Sequence, residues 1–106
     1  MTRPPTYRRR VDNTSKEIVA ALLPDWHVTD YTKAGWGVFD KAICHRRYPD
    51  CRAWVDTKSK GEKLNARQEK FMANTPGPHL VPYNAQDALN MARQVVTEYF
   101  ETKSKR

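Results

Sequence analysis

Cysteine is scarce in this 106-residue chain: Cys44 and Cys51 are the only two. A small extracellular scaffold usually carries more, and nothing at the N-terminus resembles an apolar export segment, so the expectation is an intracellular protein with free thiols. Long apolar runs are also missing. No stretch approaches the roughly 20 apolar residues that a bilayer-spanning helix needs, which excludes a membrane-spanning role. Acidic residues are outnumbered, 12 against 19 Lys and Arg, for a net charge of +7. That balance favours a polyanionic partner through counterion release and steering, although a solvated basic face produces the same count. The length suits one domain that buries a real core without crosslinks.

Residues 1–13 combine prolines with arginines and read as a flexible basic arm, in which Arg8, Arg9 and Arg10 are candidates for a nucleic-acid backbone. A single domain is expected over 14–100 and a polar basic tail over 101–106. In TSKEIVAALLP, Thr14 and Glu17 have capping-box spacing, Ile18, Val19, Leu22 and Leu23 form a helical stripe, and Pro24 ends it. Strand-like stretches follow at about 27–33 and 36–43. In the second, alternation places Asp40 with Ala42 on one face and Phe39, Lys41 and Ile43 on the other. A turn around Pro49 and Asp50 leads to a third strand, RAWVDTK. Asn65 and Gln68 can form the capping box of a helix over 66–74, HLVPY is a short strand, and Asn84 caps a final helix with the stripe Ala88, Leu89, Ala92, Val95, Val96, Tyr99. This order predicts an α/β fold: a small mixed sheet flanked by helices, its first three strands antiparallel and the fourth reached by a crossover.

Within the third strand, Asp56 and Lys58 share a face with Trp54 and stand roughly 6–7 Å apart along the chain. Both can address one reacting group, the carboxylate holding a divalent cation and the ammonium stabilising negative charge or positioning a water. A hard cation needs further oxygen ligands. Asp40, with 15 residues between it and Asp56, allows for two neighbouring strands and their turn; Asp50 is close enough to Asp56 in sequence to belong to the turn instead.

Asp40, then Asp56-Thr57-Lys58, then Lys63-Leu64-Asn65-Ala66-Arg67-Gln68, resembles the core of the PD-(D/E)xK nuclease superfamily. The likeness is closest to its small virus-type replication-repair nucleases and archaeal Holliday junction resolvases, and it runs from about residue 14 to 90. The resemblance implies a restriction-endonuclease-like fold and a Mg²⁺- or Mn²⁺-dependent endonuclease that hydrolyses phosphodiester bonds in branched or structured DNA. It further implies Asp40 and Asp56 as metal ligands, the Thr57 carbonyl as another oxygen donor, Lys58 as the catalytic lysine, Glu17 as an acidic residue joining the metal from the first helix, and Gln68 near the site. Pairing as a homodimer and a viral origin within a host cell rest on the resemblance alone. The chain departs from the pattern in two places: aspartate stands at 56 where glutamate is commoner, and Phe39 precedes Asp40 where the motif has proline.

Other readings compete. Asp56 and Lys58 are also what an exposed edge strand with a weak ion pair would carry; Glu17 and Gln68 are also explained by capping alone. Lys60, Lys63, Arg67 and Lys70 around the loop and following helix, with Arg46 and Arg47 in the hairpin, would hold phosphates beside a cleaving site or line a solvated face. Trp26, Trp36 and Trp54 suit core packing better than base stacking. His45 with Cys44 and Cys51 lacks a fourth zinc ligand. A nucleic-acid-binding protein that keeps the nuclease-like fold without chemistry is the alternative function, and a small protein-interaction module is a third.

Overall fold

The computed structural model describes residues 6–31, 39–58 and 61–104, with the backbone alone for 6–13. Its elements run α1 (Thr6–Leu22), β1 (Trp26–Asp30), β2 (Lys41–His45), β3 (Arg52–Val55), α2 (Ala66–Asn74), β4 (His79–Leu80) and α3 (Ala85–Ser104). The strands form one sheet in the order β1-β2-β3-β4. β1, β2 and β3 are antiparallel neighbours joined by short connections, and β4 pairs parallel to β3 after the α2 crossover. The mixed sheet expected from element order is therefore present.

Period-two alternation assigns the two faces. Ala53 and Val55 of β3 and Ile43 of β2 point into a core shared with Ile18 and Leu22 of α1, Trp26, and Ala88, Ala92 and Val95 of α3. Trp54 points the other way and meets Phe71 of α2 edge-on, with 5.1 Å between ring centroids. α1 and α3 thus cover one face and α2 part of the other. The α2 capping box forms as expected: the Asn65 side chain accepts the Gln68 N–H at 2.8 Å while Gln68 Oε1 accepts the Asn65 N–H at 3.1 Å. Asn84 caps α3 by accepting the Asp87 N–H at 2.8 Å. Cys44 and Cys51 are both free, and burial, with the neighbouring Cys44 thiol second, pushes the Cys51 thiol up.

Four expectations change. α1 begins at Thr6, so Thr14 lies inside the helix and does not cap it, and 6–13 are helical turns in place of an arm. Arginine is a good helix former, and a helix start tolerates the prolines just upstream. α3 runs to Ser104, so the tail through that residue is helical. β2 starts at Lys41, later than expected, with a bend at Asp40. The alternation breaks there, and Phe39 leaves the face of Ile43 to stack on Phe71 at 5.6 Å and meet His79 at 5.2 Å on the α2 side. β1 ends at Asp30, with Tyr31 just beyond it, and the remaining residues assigned to the first two strands, 32–33 and 36–38 with Trp36, lie outside the described residues.

His79 gives a pH signature. Its Nε2 is buried without a hydrogen-bond partner between Phe39 and Phe71. Burial lowers its pKa below 6.5, against a smaller opposing effect of its bond to the Gly77 backbone. The unfolded chain then binds the extra proton, so His79's contribution is complete above about 6.5 and is lost as pH falls through the folded value. Thermal melts between pH 7.5 and 5 are expected to show this loss in the wild type, and His79→Phe to flatten that part of the curve.

Candidate active site

β3 ends by hydrogen bonding at Val55, but its extended path continues. The N–H groups of Trp54, Asp56 and Lys58 donate in turn to the carbonyls of Pro78, Leu80 and Pro82 at 2.9, 2.9 and 3.1 Å, the every-second-residue pattern of a parallel ladder. Asp56 and Lys58 therefore project from one face. The Lys58 ammonium stands 2.8 Å from Asp56 Oδ2. Asp56 is 3% exposed, and its Oδ2 is buried without a hydrogen bond, so the ammonium is its compensation. An exposed edge-strand pair does not describe this geometry.

Gln68 joins the pair to α2. Its Nε2 donates to Asp56 Oδ1 at 3.1 Å, and its Oε1 accepts from Lys58 Nζ at 3.1 Å while also closing the capping box. One side chain thus caps a helix and bonds to both charged groups, so capping is not its only contact. Its local cause is the N3 position, which aims an amide back over the helix start.

Asp40 arrives from the start of β2. The register pairs Lys41 with Val55, and one step further the ladder opens. There the carboxylates replace backbone acceptors: the Asp40 N–H donates to Asp56 Oδ1 at 3.3 Å, and the Thr57 N–H donates to Asp40 Oδ1 at 3.3 Å. The Thr57 hydroxyl adds a bond to Asp40 Oδ2 at 3.1 Å. Each aspartate thus holds the backbone of the other's segment. Burial raises the Asp40 pKa, and the Asp56 charge adds to this, against the lowering effects of Lys41 and of the Thr57 bonds.

Lys41 is the residue that sequence reasoning missed. It is only 5% exposed, with its ammonium 3.9 Å from Asp40 Oδ2 and 3.8 Å from Asp30 Oδ1. The signal was present, because alternation had already set this lysine on the face of Ile43, where an ammonium needs a partner.

Several expected members are not brought in. Glu17 is exposed on α1, and the described residues contain no group of three or more His, Cys, Asp or Glu able to hold a metal ion, so it forms no three-acid cluster with Asp40 and Asp56. Arg46 and Arg47 sit in the β2–β3 hairpin, at the opposite end of a five-residue strand about 17 Å long. Arg46 caps α1 instead: its Nε donates to the Leu23 carbonyl at 2.8 Å, and its Nη1 to His27 Nδ1 at 3.3 Å. Lys63, Arg67 and Lys70 are exposed along the loop and α2. Lys60 and the side chains of Arg8, Arg9 and Arg10 lie outside the described residues. Trp26 is in the core and Trp54 is half-buried.

The chain is thus a small α/β protein in which, among the described residues, a mixed four-stranded sheet flanked by three helices gathers Asp40, Asp56, Thr57, Lys58 and Gln68 at one end. No known family model matches the chain, and neither a curated protein nor a solved structure matches it. Among the described residues no helix is long and apolar enough to cross a membrane.

Proposed function

We propose that this protein is a metal-dependent DNA endonuclease of PD-(D/E)xK type with a restriction-endonuclease-like fold. The observation that carries the reading is the reciprocal clasp of Asp40 and Asp56, closed by Lys58 at 2.8 Å. Asp40 is held at the end of the sheet against burial and the neighbouring Asp56 charge, which raise its pKa, and perturbed carboxylates of this kind cluster at functional sites. The residues fit a divalent cation. Mg²⁺ is commonly held by one or two carboxylates plus waters and substrate phosphate, and Asp56 Oδ2 is a buried oxygen compensated by the Lys58 ammonium alone, a positive charge of the kind a cation would supply.

Asp40 and Asp56, with the Thr57 carbonyl, would hold Mg²⁺ or Mn²⁺. A bound divalent ion supplies Lewis-acid polarisation of the scissile phosphate and a lowered water pKa. Lys58 would place positive charge where the phosphorane develops its negative charge, or orient the attacking water. Gln68 sets the height of Lys58 above Asp56, so it is a positioning residue. Lys63, Arg67 and Lys70 would take flanking phosphates, contacts that orient DNA without reading sequence.

The test incubates the protein with linear, supercoiled and four-way-junction DNA, in Mg²⁺ or EDTA. Cleavage is expected in Mg²⁺ alone and is expected to disappear in Asp56→Asn. Tight binding with no cleavage of any substrate would instead identify a binding protein that keeps the fold without the chemistry.

A further inference from the structure

α2 is nine residues, about 14 Å, and among the described residues part of its sheet face is left uncovered. The uncovered part is a groove of about 570 Å³, floored by Ala42, Cys44 and Trp54, walled by Thr29 and Tyr31, and closed by the 75–78 turn. The volume is in the range that accepts a molecule of nucleotide size. Among the described residues no Asp or Glu lines it, and Arg52 does.

The strand register orders this face in rows. Tyr31, Asp40 and Asp56 occupy the row at the sheet's end, where the Tyr31 N–H donates to the Asp40 carbonyl at 2.6 Å. The next row pairs Thr29 with Ala42 and Ala42 with Trp54; the one beyond pairs His27 with Cys44 and Cys44 with Arg52. Successive rows are two residues, roughly 6.6 Å, apart. Chemistry, an aromatic ring beside two small side chains, and a guanidinium therefore follow one another along a single line.

We infer that this groove binds single-stranded DNA running along β3 from the Asp40–Asp56 row, with one base stacked on Trp54 over Ala42 and the next phosphate on Arg52. Positive charge and an aromatic platform in one channel are what single-strand binding uses, because every base offers a π-face. Paired bases face each other and cannot stack on Trp54, so a duplex would bind outside this groove. The net charge of +7 complements the polyanion. The inference deepens the proposed nuclease reading and rests on it: the substrate would carry an unpaired stretch beside the scissile phosphate.

Binding in EDTA separates the groove from catalysis. The probe is a fluorescein-labelled oligothymidylate and a duplex of equal length, read by anisotropy, with circular dichroism confirming the fold of each variant. The single strand is expected to bind tighter than the duplex. Trp54→Leu and Thr29→Glu are expected to weaken it about ten-fold, Trp54→Phe much less, and duplex binding to be unchanged. Thr29 is an exposed strand position, so its variant tests the groove even if Trp54→Leu fails to fold. Folded Thr29→Glu binding the single strand like wild type, or a duplex preference, would overturn the inference. If the groove variants lose binding but Mg²⁺ elicits no cutting from wild type, the nuclease reading falls and the groove stands. If wild type cuts and Thr29→Glu binds and cuts equally well, the groove falls alone.

Discussion

Asp40→Asn is expected to melt at a higher temperature than wild type while losing cleavage. Burial raises the Asp40 pKa, with Asp56 contributing in the same direction. A carboxylate whose folded pKa lies above its unfolded value gives the folded state the greater proton affinity. Stability then falls as pH rises from about 3.8 through the folded value, and the deficit persists at neutral pH. Asparagine removes that charge but keeps an oxygen for the Thr57 N–H. Relief of this kind commonly stabilises by about 0.5–2 kcal/mol, and each kcal/mol is worth roughly 4–8 °C in a domain of about this size. Cleavage should drop about 10²-fold or more, the scale of several kcal/mol of lost charge stabilisation. Calorimetry with and without Mg²⁺ provides the second readout: the cation should raise the wild-type melting temperature and leave the variant's unchanged. A variant less stable than wild type at pH 7 would mean that Asp40 is a structural clasp and not a strained ligand.

Lys58→Met is expected to do the opposite to stability. The ammonium is the compensation for a buried carboxylate oxygen, and the two side chains are only 12% and 4% exposed. Removing one partner of a buried pair typically costs about 3–5 kcal/mol, because the other charge is left without compensation. Domains have about 5–15 kcal/mol in total, so the variant should melt far below wild type. Asp56→Asn/Lys58→Met should recover most of the loss, which a merely poor packing of methionine would not allow. If Asp56 holds the proposed cation, Mg²⁺ should raise the melting temperature of Lys58→Met more than that of wild type, since the ion would replace the missing charge. Cleavage should still fall about 10²–10³-fold at saturating Mg²⁺. Wild-type cleavage by a folded Lys58→Met protein would remove Lys58 from the chemistry.

These two effects trace back to features of unequal visibility in the chain. The Asn65–Gln68 box and α2 follow from local rules, because a cap and its N3 partner are in contact whatever surrounds them. The shared direction of Asp56 and Lys58 follows from alternation, which the backbone maintains to Lys58 through its bonds to Leu80 and Pro82. Thr14 and Glu17 misled for the same reason that Asn65 and Gln68 did not: an i, i+3 spacing is equally that of a helix interior, and α1 starts upstream. Arg46 misled because arginine type carries no information about its acceptor, and the exposed end of α1 claimed it.

What the sequence by itself determined is the set of elements, the alternation along β3 and the identity of the charged pair, all consequences of interactions a few residues long. The meeting of Asp40 with Asp56, the bend that turns Phe39 toward α2, the burial of Lys41 and the row that aligns Arg52 and Trp54 with the carboxylates were decided only by the tertiary structure. They depend on the β2–β3 register and on where that ladder opens, and the register is set by packing Ile43, Ala53 and Val55 against α1 and α3. Charge type is local; charge proximity across 16 positions is a property of the sheet.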